Sequence, residues 1–146
     1  MIISELRVYD FRQFKSVDGA PGLKITFHKG LNALIGENDS GKTAVIDALK
    51  LVLLTQSNEY IRPSDEDFYK PVGEDACSEF KIDCTISDFT QNEAKNFIEY
   101  LSFNQTENGI EYTLELHYRA WKEGHKIYQE LRVGDIDDGI SIDGKA

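Results

Sequence analysis

Basic side chains are in short supply in this chain. Sixteen Lys and Arg stand against 26 Asp and Glu, a formal net charge of −10, and no local run of cations offsets the balance. A nucleic-acid surface needs a basic footprint, so this segment is a poor candidate for a main DNA contact, and its acidity reads as ordinary solubility. Cysteine is scarcer still. Cys77 and Cys84 are the only two, too few and too simply spaced for a zinc site or a disulfide framework, and they read as reduced thiols. No apolar run approaches the ~20 residues that span a bilayer, and residues 1–12 have neither a secretory h-region nor a cleavage site. These absences point to a cytoplasmic protein with no membrane partner.

What is present suffices for a real core: 146 residues, 40% hydrophobic and 11% aromatic, are one domain's worth. Leu6 and Val8, then Leu23, Ile25 and Phe27, alternate with polar residues and read as half-buried strands, with a turn at Asp18-Gly19-Ala20-Pro21-Gly22 between them. Leu31 to Ile35 is nearly continuous in apolar residues and predicts a central strand covered on both faces. Between Ala44 and Leu54 only Asp47 and Lys50 are polar, which predicts a helix sandwiched between two layers. The polar stretch 55–78 reads as a long, solvated acidic loop. Phe80, Ile82, Cys84 and Ile86 alternate as another strand, with Cys84 on its apolar face; Ala94, Phe97, Ile98 and Leu101 have helical spacing. Ile110 to Tyr118 and Ile127 to Val133 predict an antiparallel hairpin turning at Glu123-Gly124. His117 and His125 read as solvated, Trp121 as a packing residue, and residues 134–146 as an edge segment or frayed terminus.

The chemistry concentrates at Gly36-Glu37-Asn38-Asp39-Ser40-Gly41-Lys42-Thr43, a complete Walker A phosphate-binding loop between an apolar run and a helical pattern. A helix N-terminus offers unpaired N–H groups and the positive end of its dipole to clustered phosphate oxygens. Gly36 and Gly41 allow the backbone to approach closely, and Asn38, Asp39 and Ser40 complete the cradle. Lys42 can reach the β- and γ-phosphates of ATP, and the Thr43 hydroxyl can ligate Mg²⁺. The bland alternative is a glycine turn capping a core helix with no ligand. The fold class expected is α/β, of the P-loop NTPase type.

Three stretches, Leu6 to Lys15, Gly30 to Thr43 and Ile46-Asp47-Ala48-Leu49, together resemble the N-terminal lobe of the SMC/RecF-like branch of ABC ATPases. Within that branch, Glu37-Asn38-Asp39 and the downstream Asp65-Glu66-Asp67-Phe68-Tyr69 resemble the OLD family (overcoming lysogenization defect) of ATP-dependent endonucleases. The resemblance implies an ABC-type ATPase lobe with a mixed β-sheet, working as a homodimer and coupled to a Toprim nuclease that cuts DNA with divalent metals. It implies that Lys42 and Thr43 bind ATP and Mg²⁺ and that Arg12 reaches nucleotide phosphates. On physical grounds Arg12 could equally be a solvated strand-end residue. Phe11 or Phe14 could lie near adenine, although core packing is the commoner use. A Walker B strand, a signature motif and Toprim carboxylates are absent from the sequence. Residues 1–146 are therefore expected to be an incomplete N-terminal lobe with no catalytic residue of its own, DNA being contacted through regions outside this chain. The alternatives are a RecF- or SMC-like DNA-repair ATPase lobe and a non-catalytic, nucleotide-dependent dimerisation module.

Overall fold

The computed structural model of the chain describes residues 1–35, 41–53, 62–134 and 140–141. In chain order the elements are β1 (Ile2–Tyr9), β2 (Leu23–Thr26), α1 (Lys42–Leu53), a 3₁₀ turn (Asp65–Asp67), β3 (Glu79–Ser87), α2 (Gln91–Asn96), β4 (Ser102–Thr106), β5 (Gly109–Glu123), β6 (Lys126–Val133) and β7 (Ile140–Ser141). The strands form one sheet in the order β2-β1-β3-β5-β6-β7, with β4 beside β5, and every described pairing is antiparallel.

Period-two patterning decides which way each strand faces. The register lines up Leu6, Cys84, Leu116 and Val133 in one cross-sheet row and Val8, Ile82, Tyr118 and Leu131 in the next. All eight are buried, on the face against which Ala44, Val45, Ala48, Leu51 and Val52 of α1 are also buried. At one end of the sheet the Phe80 ring packs against Phe11, Phe68 and Tyr118 at centroid distances of 5.1, 5.0 and 6.0 Å. Each fully buried side chain of this size contributes about 1.5–3 kcal/mol, against about 0–1 for an exposed ion pair, so sheet–helix burial outweighs surface charge in holding the lobe together.

The hairpin forms as the alternation predicts, with Glu123 opposite Lys126 across the turn. Two expectations are corrected, and for a third the described residues supply only one side. Leu31 to Ile35 forms no strand, and Leu31 and Ile35 are 96% and 92% exposed. A central strand needs a ladder partner on each side, and among the described residues this segment has none on either side. The second layer over α1 is likewise not found among the described residues. The sheet covers one face, while Ile46 and Leu53 on the other are 44% and 40% exposed. Finally, α2 is shorter and earlier than its apolar spacing suggests. Thr90 and Glu93 cap it reciprocally, Thr90 Oγ1 accepting from Glu93 N at 3.2 Å and Glu93 Oε2 from Thr90 N at 2.9 Å, and the chain leaves helical geometry at Phe97. Ala94 and Leu101 still bury, but Ile98 is 67% exposed.

Candidate nucleotide site

Of the predicted phosphate-loop residues, Gly41, Lys42 and Thr43 are described; Gly36, Asn38, Asp39 and Ser40 lie outside the described residues. Gly41 has φ +93°, a left-handed backbone that side chains rarely adopt, and its carbonyl accepts the first helical bond from Val45 N at 3.0 Å. The space where a Cβ would stand is occupied: Phe14 Cζ lies 2.6 Å and Gln13 Nε2 2.7 Å from that position. The segment after β1 is thus packed directly onto the junction between loop and helix. Lys42 is half-buried and Thr43 exposed, and the first turn of α1 carries no acidic side chain. The N–H groups and dipole of this helix end therefore meet no first-turn carboxylate.

Arg12 is neither solvated nor isolated. Its Nε donates to Asp67 Oδ1 at 3.0 Å and its Nη2 to Asp47 Oδ2, on α1, at 2.8 Å, while its guanidinium lies 5.1 Å from the centre of the Phe11 ring. Burial disfavours its charge, but the bonds to Asp67 and Asp47 more than offset this and hold the guanidinium above its ordinary pKa. Phe11 is fully buried and packs in the core, so it is no adenine platform; Phe14, partly buried, is the aromatic that reaches the loop.

The acidic segment 62–69 differs most from its sequence reading. Asp67 is the one buried charged residue among those described, at 6% exposure. Its Oδ2 accepts from Ser64 N at 2.9 Å, and its carbonyl oxygen accepts from Arg12 N at 2.8 Å. Tyr69 N donates to Asp10 O at 2.9 Å, and Phe68 is buried beneath Lys122, whose Nζ sits 4.4 Å from the ring centre. A local signal existed: Ser64-x-x-Asp67 is a capping pattern, and Asp47 is the lone acid in an apolar helix.

On the opposite face of the sheet the register makes a second polar row of Arg7, Asp83, His117 and Arg132. Arg7 Nη1 bonds Glu5 at 2.5 Å and Nη2 bonds Glu115 at 3.1 Å, so it is not part of a basic patch with Arg12, which points to α1. His117, expected to be solvated, is half-buried with Nδ1 2.8 Å from Asp83 Oδ1; that bond, opposed by burial, raises its pKa. Arg119 and Arg132 pair with Glu79 and Glu130 at 2.9 Å each. The cleft of about 790 Å³ on this face, lined by Tyr9, Lys81, His117 and their neighbours, is consequently charge-balanced. Trp121 stacks on Tyr128 at 5.7 Å under Arg119, consistent with packing. Among the described residues no group of three or more His, Cys, Asp or Glu could hold a metal ion.

The sequence model of the family described as AAA ATPase domain (AAA_15) matches residues 1–132. The chain is similar to the DNA replication and repair protein RecF of Streptococcus suis (strain 05ZYH33), 36% identical over 58 residues that are 40% of this chain and 14% of that protein. It is similar to the DNA double-strand break repair Rad50 ATPase of Pyrococcus abyssi, 32% identical over 73 residues, 50% of this chain and 8% of that one. The chromosome partition protein Smc of Chlorobaculum tepidum is 37% identical over 62 residues, 42% and 5% of the two chains. The matched segment thus spans about a seventh of the RecF relative and less of the other two. A solved structure from work on ATP-driven dimerisation and DNA-stimulated activation of SMC ATPases superposes with a TM-score of 0.61 at 18% identity, over 95% of this chain and 70% of that one. The fold is that of the ABC-type ATPase lobe.

Proposed function

The chain belongs to the AAA ATPase domain family, and on that premise we propose that it is the nucleotide-binding lobe of an SMC/RecF-like DNA-processing ATPase, taking ATP and Mg²⁺ at the start of α1. The observation that carries this reading is the junction at Gly41. A glycine in a left-handed conformation delivers the chain into a helix whose first turn presents Lys42 and Thr43 and no carboxylate. Gly36, Asn38, Asp39, Ser40 and Gly41 supply the backbone cradle, Lys42 the charge on the β- and γ-phosphates, and Thr43 a hydroxyl ligand for Mg²⁺. Arg12 contributes a second cation from beside the helix.

This segment supplies binding rather than turnover, because phosphoryl transfer also needs an oriented water and charge stabilisation from several further elements. ATP-dependent pairing of two copies is supported by the superposed structure from work on ATP-driven dimerisation of SMC ATPases, and a role on DNA by the DNA-repair names of the RecF and Rad50 relatives. The opposite sheet face supports placing DNA elsewhere, since its cations are matched by neighbouring carboxylates. A second, narrower reading is the lobe of an OLD-type ATP-dependent endonuclease. It rests on the sequence motifs Glu37-Asn38-Asp39 and Asp65 to Tyr69, the second of which buries Asp67 and Phe68 beside Arg12 while Asp65 and Glu66 stay exposed.

Lys42→Ala tests the site. Loss of the charge-assisted hydrogen bonds to phosphate, each worth about 1.5–3 kcal/mol, weakens binding of a fluorescent ATP analogue with Mg²⁺ by roughly ten- to a hundredfold. Equal affinities for the wild type and the variant would refute the assignment.

A further inference from the structure

Asp10 and Arg12 both have left-handed backbones, φ +54° and +50°, on either side of the buried Phe11. Non-glycine residues hold that conformation only where their surroundings over-determine it. Here the surroundings are a local turn, in which Phe14 N bonds Phe11 O and Ser16 N bonds Asp10 Oδ1, and the 64–69 segment: Tyr69 N bonds Asp10 O, Arg12 N bonds Asp67 O, and the Arg12 Nε bonds the Asp67 carboxylate. The result is to turn Arg12 out of the line of β1 and against α1, where it meets Asp47, one helical turn beyond Thr43.

The two carboxylates on Arg12 are not equivalent. Asp67 has a side chain 8% exposed, and both its oxygens are engaged, one by Arg12 and one by Ser64 N. Asp47 is 30% exposed and reaches only Nη2. A buried, doubly bonded carboxylate is costly to strip of its partner, whereas a solvent-screened contact exchanges cheaply. We propose that Asp67 is a positioning residue that holds the Nε edge of Arg12 in place, so that the Nη edge can pass from Asp47 to a phosphate of the bound nucleotide. The inference rests on the nucleotide site proposed above. It makes Asp47 a competitor for the guanidinium and Asp67 its pivot, and it links the 64–69 segment to nucleotide occupancy.

Neutralising the two carboxylates therefore has opposite effects. In the full chain, titrated with a fluorescent ATP analogue and Mg²⁺, Asp67→Asn weakens binding roughly tenfold, the scale of one charge-assisted hydrogen bond. Asp47→Asn tightens it about threefold, the scale of a lost, partly exposed ion pair. Neither substitution changes affinity when made in an Arg12→Ala background. If both tighten binding, the carboxylates act only through net charge and the pivot is refuted. If both weaken it, they are scaffolding and the exchange is refuted. If neither matters while Lys42→Ala still weakens binding, Arg12 does not reach the nucleotide; if Lys42→Ala is also silent, the nucleotide site itself fails. Should Asp67→Asn not fold, Asp47→Asn decides alone, because unchanged or weaker binding by that exposed-side variant overturns the proposal.

Discussion

Gly41→Ala separates two costs that the structure places at one atom. The first is conformational: at φ +93° an alanine pays about 1–2 kcal/mol for a left-handed backbone. The second is steric, because the new methyl would stand 2.6 Å from Phe14 Cζ and 2.7 Å from Gln13 Nε2. The Gln13 amide ends a flexible side chain and can swing away. The Phe14 ring is partly buried against the core and has less room, so forcing it aside costs about 1–3 kcal/mol. Alanine's smaller unfolded-state entropy returns about 0.4–1 kcal/mol, leaving a net destabilisation of about 1–5 kcal/mol. The molecule contains its own control. Gly19 has φ +81° and nothing within 4 Å of a built Cβ, so Gly19→Ala isolates the backbone cost. Urea unfolding of the two variants beside the wild type, with midpoints compared at equal slope, measures both. Gly41→Ala should unfold at clearly lower urea than Gly19→Ala, and Phe14→Leu, which removes Cζ, should narrow the gap. Coincident midpoints for the two alanine variants would show that Phe14 and Gln13 do not press on the phosphate loop.

His117 makes stability depend on pH with a definite sign. Its folded pKa lies above the unfolded value because protonated imidazole gains Asp83, so its contribution is complete below about pH 6.5 and disappears as pH rises through the folded pKa. The wild-type advantage over His117→Gln, of the order of 1 kcal/mol at pH 6, should therefore shrink by pH 8.5, and an advantage that grows with pH would refute the pairing. The two thiols should separate kinetically. Burial pushes Cys84 up to about 12 and leaves it no solvent access, whereas Cys77 is partly exposed, so a disulfide reagent should modify Cys77 in the native protein and Cys84 only on unfolding. Equal native rates would contradict the placement of Cys84 in the sheet core.

Elements with strong local signals were legible. The alternation in Leu6 to Val8, Phe80 to Ile86 and Ile110 to Val133 was enough to find β1, β3, β5 and β6, because each strand repeats its burial every second residue. Short apolar runs were not: Leu31 to Ile35 has the composition of a buried strand, but becoming one depends on neighbours that a run of five residues cannot encode. The 65–69 segment failed for the opposite reason. Its acidity reads as solvated, yet Asp67 is buried because Arg12, 55 positions away in sequence, meets it with both a backbone and a side-chain bond.

By itself the sequence determined which residues face inward along β1, β3, β5 and β6, and the order of glycines, Lys42 and Thr43 at the phosphate loop, since these depend only on local period and backbone chemistry. Which charges meet was decided by the tertiary structure alone. Strand register sets Arg7, Asp83, His117 and Arg132 in one row, and two left-handed residues turn Arg12 away from that row toward Asp47 and Asp67. Periodicity records the side of an element on which a residue lies. It carries no record of which distant residue lies opposite, and the electrostatics of this site consists of such non-local pairings.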